Sequence, residues 1–445
     1  MRPSNRRHFL QDTAALTAAL AAIPAAATRA DEPGPRGDAD NKPGSPNEVL
    51  RVAVCGVNGR GMEHIQGWGR LKKDVRITTI CDVDLNVTGK ARKAIERHSP
   101  GAEVKVVQDV RRVLDDKEID AISIATPNHW HSLMAIWACQ AGKDVYVEKP
   151  VSHNVSEGRR IVEAARHHNR IVQTGTQCRS HKGIQDAMAF LHSGKLGQIY
   201  MAKGLCYKPR GSIGHKSDQA VPKGLDYDLW LGPAPKHAFN RNLVHYNWHW
   251  FWDFGNGDLG NQGIHQMDLA RWGINKNEMP KAVVASGGRF GYSDDGQTPN
   301  TLSVAFEYDD CELQFEVRGL ITNPEQGVRV GNIFYGTKGI LAITSYTDWQ
   351  VFLGHKLVKG PSGHGGGDHF ANFVKAVRAR DHKLLNADIA EGHLSSAYCH
   401  LGNIAYRLGR KLHINPSTET FVNDSEADAM LTREYRAPFV VPARV

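Results

Sequence analysis

The sequence predicts an α/β protein in which a doubly wound parallel sheet is followed by an α+β domain with an open, mainly antiparallel sheet. Strand-like and helix-like segments alternate up to about residue 175, whereas short strands separated by turns follow residue 300. Alternation favours right-handed crossovers and a parallel sheet, and consecutive strands favour antiparallel pairing. The 445 residues are also too many for one ordinary core, so at least two domains are expected.

The elements of the first domain follow one another at short intervals between residues 49 and 175. Apolar strand-like runs alternate with segments of helical period. Strands are predicted at 50–55, 75–82, 104–107, 119–125, 144–147 and 171–174. Helices are predicted directly after the first strand and at 86–98, 110–116, 129–142 and 156–168.

The second predicted domain covers residues 176–412, and residues 413–445 form a C-terminal extension. Two helices, at 369–380 and 388–411, end this domain and could pack back on the first one. Strands are predicted at 301–308, 311–318, 328–335, 339–343, 349–353 and 355–358.

The first 48 residues are predicted to be an export leader and a tether. Residues 5–10 contain paired arginines followed by Phe-Leu, and residues 13–28 form an uncharged, alanine-rich apolar run before small residues. Residues 1–30 therefore resemble a twin-arginine signal, with a general secretory signal as the alternative. The run is too short and too rich in alanine for a membrane anchor. Residues 31–48, rich in Pro, Gly, Asp and Asn, predict a disordered linker, and a periplasmic or otherwise exported location is expected.

Charge and cysteine spacing indicate which classes of protein are not expected. The formal net charge is +8, but the basic residues are scattered and form no stripe interleaved with aromatics, so nucleic-acid binding is not expected. The seven cysteines form no Cys-x-x-Cys pair, and most lie in apolar runs, which predicts buried free thiols. Free thiols are compatible with folding in a reducing cytoplasm before export.

A glycine-rich turn, GVNGRG at residues 56–61, follows the first strand. Gly56 permits the tight turn and Gly61 lets the helix pack closely on the strand, while Gly59 adds backbone freedom. Asn58 occupies the second glycine position of the usual pattern and tolerates left-handed conformations. Such a turn aims a helix N-terminus at a dinucleotide pyrophosphate, although it could also be only a structural turn.

Asp82 strengthens the prediction of a dinucleotide site. It closes the second strand, where a carboxylate can accept hydrogen bonds from both hydroxyls of the adenosine ribose. Because the carboxylate would repel a 2′-phosphate, NAD is favoured over NADP. Asp84 is either a solvated turn residue or an alternative for the same role.

Two further segments follow parallel strands, at the edge where doubly wound sheets bind ligands. TPNHWH at residues 126–131 follows the fourth strand, and Glu148-Lys149-Pro150 follows the fifth. Lys149 could stabilise a developing alkoxide, or it could be an exposed loop cation. His129 and His131 could be partly buried at the start of a helix. No local carboxylate or cysteine completes the His-x-His pair, so no metal site is expected.

These segments resemble the glucose–fructose oxidoreductase, inositol dehydrogenase and MocA (Gfo/Idh/MocA) group of NAD(P)-dependent sugar and polyol oxidoreductases. The resemblance covers residues 49–412 and is strongest in residues 126–131, 141–150 and 257–272. It implies that the first domain is a Rossmann domain, that Lys149 is the catalytic lysine and that dimers or tetramers form through the open sheets. The cofactor-binding residues are then expected to be Gly56, Asn58, Gly59, Arg60, Gly61, Asp82, Thr126, Pro127, Asn128, His131, Glu148 and Gln177.

The resemblance also assigns roles to residues 260–268. His265 matches the histidine that is the usual general base of the group, and Asp268 matches a further acid. Asn261 stands where the group's dehydrogenases commonly have aspartate, four residues before the histidine and on the same face of a helix. An amide can orient a sugar hydroxyl but cannot accept its proton. His265 could instead be a hydrogen-bonded core histidine.

Substrate contacts are predicted from the aromatic segment YNWHWFWDF at residues 246–254. Trp248, His249 and Trp250 could stack on and hydrogen-bond a pyranose, or they could belong to a core or subunit interface. Arg179 could bind a uronate carboxylate, or pair with a protein acid. Asp268 is included among the substrate residues.

Together these features predict an exported NAD-dependent oxidoreductase of a sugar, polyol or glycoside. Free NAD is expected to be scarce outside the cytoplasm, so hydride would pass to a tightly bound nicotinamide that is recycled in place. A redox-assisted glycoside hydrolase or lyase is one alternative. A non-catalytic sugar-binding protein is the alternative from another class.

Overall fold

The computed structural model describes residues 49–445 and confirms the predicted fold class. The first domain is built on a six-stranded parallel sheet with the order β3-β2-β1-β4-β5-β6. Its strands are β1 (Leu50–Cys55), β2 (Val75–Cys81), β3 (Lys105–Val107), β4 (Ala121–Ile124), β5 (Asp144–Val147) and β6 (Val172–Thr174). Its helices are α1 (Arg60–Arg70), α2 (Leu85–His98), α3 (Val110–Asp115), α4 (Asn128–Gln140) and α5 (Val155–His167).

Side-chain caps fix where several of these helices begin. The Asp84 carboxylate accepts a hydrogen bond from Asn86 N at the start of α2, and Asn154 accepts one from Glu157 N at the start of α5. Such caps satisfy backbone donors that have no partner within the helix. The helices thus start immediately beyond the carboxyl ends of the strands, which is where the glycine turn and the predicted site residues lie.

The second domain contains a ten-stranded sheet with the order β14-β13-β12-β11-β7-β10-β9-β8-β15-β16. All pairings are antiparallel except that of β7 with β10, which is parallel. Its strands are β7 (Ile199–Cys206), β8 (Ala282–Gly288), β9 (Thr301–Glu307), β10 (Glu312–Arg318), β11 (Val330–Gly336), β12 (Gly339–Ile343), β13 (Asp348–Leu353), β14 (Val358–His364), β15 (Leu412–Asn415) and β16 (Thr420–Phe421).

Sequence reasoning missed β7, β8, β15 and β16 and misplaced one strand. The predicted meander is interrupted because β7 inserts between β10 and β11, although it precedes them by about a hundred residues. The strand predicted at 355–358 is wrong: residues 354–357 form a turn, with Gly354 and Leu357 at positive φ (66° and 48°), and β14 begins at Val358. A residue with positive φ leaves the extended conformation and ends the strand.

The remaining helices connect the two sheets. Phe370 and Phe373 at the start of the helix after β14 pack with Trp68 and Val54 in the core of the first domain. The extension also returns there, since Phe439 and Val441 pack in a second cluster of that domain. The helices of this part are α6 (Lys182–His192), α7 (Tyr227–Leu231), α8 (Gly257–Asn261), α9 (Gly263–Gly273), α10 (His369–Ala379), α11 (Ile389–Leu408) and α12 (Ser425–Ala429).

The predicted leader at 1–30 and the predicted linker at 31–48 lie outside the described residues. Within residues 49–445, no helix is long and apolar enough to cross a membrane. All seven cysteines are free; six are buried and Cys311 is partly buried.

Candidate active site

The glycine turn after β1 is held together by close backbone contacts. Gly56 has a φ of 81°, and a Cβ there would lie 2.8 Å from Ala125 O. A Cβ on Gly61 would lie 1.8 Å from Gly56 O, so only glycine allows α1 to pack this closely on the turn. A Cβ on Gly59 would meet no atom within 4 Å, because this residue faces open space at the N-terminus of α1. The turn therefore leaves room for an anionic group at the helix N-terminus.

Asp82 lies beside the turn, immediately after β2, and lines the same cleft. Its carboxylate accepts hydrogen bonds from Val57 N at 2.7 Å and Asp84 N at 3.0 Å. Burial raises the pKa of Asp82 above its ordinary value. Asp84 does not share its position: its carboxylate caps α2 and accepts a hydrogen bond of 2.8 Å from His245 Nε2.

A further part of the cleft lining comes from residues 126–131, which comprise the end of the loop after β4 and the first turn of α4. Asn128 Nδ2 donates to Asn256 Oδ1 at 2.9 Å, which joins this part of the lining to the second domain. Both ring nitrogens of His131 lie close to backbone carbonyls, at 2.7 Å from Pro150 O and 2.8 Å from Thr126 O. His131 therefore fixes the loop after β5 relative to the loop after β4. Thr126 and Pro127 line the cleft between them.

Glu148 lies at the end of β5, is only 3% exposed and accepts three side-chain hydrogen bonds at Oε1. One donor is Arg60 Nε at 2.7 Å and another is Gln177 Nε2 at 3.2 Å. Burial alone would raise the pKa of Glu148, but Arg60, His64 and Lys149 hold it well below its usual range. Glu148 is therefore a buried carboxylate that remains ionised.

Lys149 extends into the cleft toward α8. Its Nζ donates a hydrogen bond of 2.9 Å to the backbone carbonyl of Asn261. Burial lowers the pKa of Lys149, opposed by Glu148. A lysine in this position can exchange a proton more readily than an exposed one.

His265 lies on α9 and is 7% exposed. Its Nδ1 is buried without a hydrogen-bond partner, and its ring centroid lies 5.3 Å from that of Tyr346. Burial, together with the nearby Lys149, lowers the pKa of His265 well below its usual range, so the imidazole is neutral. A neutral imidazole with an unpartnered nitrogen can accept a proton or orient a hydroxyl group.

The helix on which Asn261 and His265 were expected to share a face is broken. α8 ends at Asn261 and α9 begins at Gly263, with Gln262 in a turn between them. Asn261 lines the cleft, and its backbone carbonyl accepts the hydrogen bond from Lys149 Nζ. The prediction of one continuous helix is therefore wrong, although Gln262 between the two short helices keeps helical dihedral angles (φ −86°, ψ −42°).

Aromatic side chains from the second domain close the cleft. Trp248 stacks on His249 with ring centroids 3.6 Å apart at 19°, and burial lowers the pKa of His249 to about 3. Trp230, His245 and Tyr246 also line the cleft and were missed as site residues, although 246 lies within the predicted aromatic segment. The cleft has a volume of about 330 Å³.

Several predicted site residues lie outside the lining of this cleft. His265 is one of them; Gln177 contacts Glu148 from outside the lining, and Gly61, the last residue of the glycine turn, packs against the carbonyl of Gly56. Trp250 is 5% exposed and packs under the Arg210 guanidinium, 5.1 Å from its ring centroid. Trp250 therefore belongs to the core, which was the alternative interpretation of the aromatic segment.

Arg179 and Asp268, predicted as substrate residues, bind each other instead. Arg179 Nε lies 2.8 Å from Asp268 Oδ2, and the two side chains are 7% and 1% exposed. Asp268 also accepts a hydrogen bond from Ser395, and Arg179 donates one to Glu391. A buried guanidinium whose donors already bind protein carboxylates has few donors left for a substrate carboxylate. The assignment of Arg179 and Asp268 to substrate binding is therefore wrong, and Arg179 pairs with a protein acid, which was the alternative.

Comparison with known proteins matches both domains to one family. The description "Oxidoreductase family, NAD-binding Rossmann fold" matches residues 50–176. The description "Oxidoreductase family, C-terminal alpha/beta domain" matches residues 204–441. Both descriptions carry the name Gfo/Idh/MocA, and together they cover most of the described chain.

Two curated relatives differ in activity. An inositol 2-dehydrogenase from Salmonella paratyphi B is 27% identical over 188 residues, which are 41% of this chain and 54% of the relative. An α-N-acetylgalactosaminidase from Shewanella oneidensis is 32% identical over 169 residues, 36% of this chain and 37% of the relative. The chain thus spans about half the length, or less, of the curated relatives that it matches.

Among solved structures, the WlbA dehydrogenase from Bordetella pertussis, in complex with NADH and UDP-GlcNAcA, has a similar fold. The TM-score is 0.61 with 18% sequence identity, covering 83% of this chain and 99% of that one. At this identity the likeness concerns the fold alone.

Proposed function

This chain belongs to the Gfo/Idh/MocA oxidoreductase family, and from that premise we propose that it is an exported NAD-dependent oxidoreductase of a sugar, polyol or glycoside. The observation that carries the proposal is the cleft between the two domains. It combines the glycine turn and Asp82 with Lys149 and a wall of aromatic side chains. Tryptophan faces beside polar side chains suit the alternating apolar and hydroxyl surfaces of a sugar.

The residues present fit a dinucleotide. The crowded glycines form a turn that a Cβ would fill, and Asp82 lies where an adenosine ribose is bound in such folds. The cofactor is NAD, which when bound supplies a two-electron acceptor at its nicotinamide ring. No group of three or more metal-ligating side chains occurs among residues 49–445.

Lys149 and His265 are proposed to handle the proton of the reacting hydroxyl. Lys149, with its lowered pKa, would hydrogen-bond the substrate oxygen, and neutral His265 would accept or return the proton. Asn261 would orient a neighbouring hydroxyl through its amide.

Contacts over the adenosine side of the cleft support the proposal that NAD is retained and recycled in place. Asp226 N donates to Val83 O at 2.8 Å, and His245 Nε2 donates to Asp84 at 2.8 Å. These bonds hold part of the second domain across the end of β2. Release of a bound nucleotide would require them to separate, which favours slow exchange.

Export and assembly complete the proposal. The leader features of residues 1–30 support twin-arginine translocation to the periplasm, since that route carries folded proteins with their cofactors. Along β9 and β10 every second residue is buried and the alternate residues are at least partly exposed, and this accessible sheet face supports the proposal of a homodimer or homotetramer.

A second candidate is redox-assisted cleavage of a glycoside. Oxidation of the carbinol two carbons away from the glycosidic carbon would acidify the C–H bond on the carbon between them and permit elimination of the aglycone as an alcohol or phenol. Water would then add to the resulting double bond, and the ketone would be reduced by return of the stored hydride. Two observations favour it: Asn261 replaces the usual acid, and the Shewanella oneidensis relative is named α-N-acetylgalactosaminidase. Incubation with aryl glycosides separates the candidates, because phenol release without net NADH supports cleavage, and a ketosugar without phenol supports oxidation.

The cofactor proposal is tested on protein purified without added nucleotide. Mass and absorbance analysis of the released cofactor should give close to one NAD per chain. An empty protein that binds NAD only weakly would contradict retention.

Replacing Lys149 tests catalysis against simple sugar binding. Lys149→Met should abolish turnover but keep bound NAD, whereas the exposed control Lys90→Met should match the parent protein. A parent protein that binds sugars without turning any over, and whose binding is unchanged by Lys149→Met, would support the non-catalytic alternative.

A further inference from the structure

A chain of buried side-chain hydrogen bonds lies beneath the glycine turn and ends on Glu148. His64 Nδ1 lies 2.8 Å from Ser123 Oγ, and His64 Nε2 lies 3.1 Å from Glu148 Oε1. Trp68 Nε1 donates to the same Ser123 Oγ at 2.9 Å. His64 and Ser123 are 0% exposed and Trp68 is 1% exposed, so water does not compete for these bonds.

The direction of each bond follows from the donors available. Ser123 Oγ accepts from the indole of Trp68, which can only donate, and so its own proton is free for His64 Nδ1. His64 Nε2 then carries the ring proton and donates it to Glu148. The other tautomer would place the Nε2 lone pair against the carboxylate, which is repulsive. Burial lowers the pKa of His64, so the ring has a single proton to give.

These bonds make the two oxygens of Glu148 unequal. Oε1 accepts from His64, Arg60 and Gln177, whereas Oε2 accepts only the backbone N–H of Lys149, at 3.2 Å. A carboxylate offers about four acceptor sites. Since three donors occupy Oε1, the remaining acceptor capacity is on Oε2, and Glu148 lines the cleft.

We propose that His64 is a positioning residue that fixes the orientation of Glu148, so that Oε2 is presented to a hydroxyl group of bound NAD. His64 itself lies behind Glu148 and does not line the cleft. Arg60 and Gln177 hydrogen-bond the Glu148 carboxylate on its more exposed side. His64 hydrogen-bonds it on the side that faces the core. The inference rests on the NAD-binding part of the proposed function and on no particular sugar.

The experiment measures the Kd of NAD by calorimetric titration of the full chain after charcoal treatment. His64→Phe keeps an aromatic ring but loses the donor, and it should weaken NAD binding at least about tenfold, the size of one lost hydrogen bond to a charged group. His64→Gln can still donate an amide N–H to Glu148 and should stay within about threefold of the parent protein. Phe373→Leu perturbs the packing of the same hydrophobic cluster but removes no member of the hydrogen-bond chain, and it should bind NAD as the parent does.

A double-variant cycle with Glu148→Gln distinguishes positioning from damage to packing. If His64 acts through Glu148, His64→Phe should weaken NAD binding no further once Glu148→Gln is present. Additive losses, a His64→Gln variant as impaired as His64→Phe, or an equal loss in Phe373→Leu would each overturn the proposal.

The tautomer of His64 provides a test that is measured on the parent protein, and a variant is needed only to assign the signal. In ¹⁵N spectra of histidine-labelled parent protein, the His64 signal, assigned from its loss in His64→Gln, should show protonated Nε2 and unprotonated Nδ1. The opposite tautomer would overturn the proposal. Because both measurements use NAD or no ligand, their failure leaves the test of sugar oxidation untouched, and failure of sugar oxidation leaves them valid.

Discussion

Replacing Arg179 by methionine should destabilise the protein without removing a substrate contact. Arg179 makes three hydrogen bonds of 2.8 to 3.0 Å to Asp268, and both side chains are nearly inaccessible to water. Removing one partner leaves an uncompensated buried charge, which costs about 3–5 kcal/mol. An unfolding entropy of about 2.1 cal/mol/K per residue over roughly 400 residues gives about 0.8 kcal/mol/K, so the Tm should fall by about 4–6 °C.

Thermal unfolding of three variants separates the possibilities. Arg179→Met combined with Asp268→Leu should recover most of the loss, since apolar replacement of a whole buried pair is often close to neutral. Arg378→Met, which removes an exposed pair with Asp74, should change stability by no more than about 1 kcal/mol. The reasoning is refuted if Arg179→Met melts like the parent protein but loses affinity for a uronate, because Arg179 would then bind substrate.

Three further outcomes are expected. Gly61→Ala should abolish NAD binding, because its Cβ would lie 1.8 Å from Gly56 O and both atoms belong to fixed backbone; nucleotide content of the purified variant measures this, and a normal content would contradict the predicted crowding. Asp82→Ala should weaken NAD binding by about tenfold or more and reduce the preference of the protein for NAD over NADP, as measured by titration with both nucleotides. An unchanged ratio of the two affinities would contradict the assignment of Asp82 to the adenosine ribose. Burial would raise the pKa of Glu419, but hydrogen bonds and charge from His393 and a neighbouring arginine lower it from 4.5 to about 2. A carboxyl group whose pKa is lowered on folding contributes stability above pH 4.5, and this contribution is lost as the pH falls toward 2. The Tm of Glu419→Gln should therefore decline less steeply than that of the parent protein between pH 4.5 and 2. A parallel decline of Tm in both proteins would argue against this role of Glu419.

The parts of the site that sequence reasoning located are those encoded by local patterns. The glycine turn at 56–61, Asp82 and Lys149 all follow apolar strands, and parallel strands bring their carboxyl ends to one edge of the sheet. Their convergence on one cleft therefore follows from strand order alone. The aromatic segment was also found, because seven of its nine residues are aromatic or histidine.

Other features depend on contacts between distant segments. β7 pairs with β10 and β11 more than a hundred residues later, and nothing in the period of residues 199–206 specifies those partners. Trp230 and His245 reach the cleft only because their loop crosses onto the first domain. A polar side chain also does not reveal its partner in the sequence, so Arg179 could be assigned equally to a substrate or to a protein acid.

The sequence by itself determined the fold class, the dinucleotide-binding edge and the lysine that lies there. These depend on hydrophobic period and on glycine conformations, which act over a few residues. Only the tertiary structure decided that Arg179 pairs with Asp268, that α8 and α9 are separate, and that His64 supports Glu148 from the core. Hydrogen bonds and ion pairs are made by whichever groups the packing brings within about 3 Å, and that proximity is a property of the whole fold.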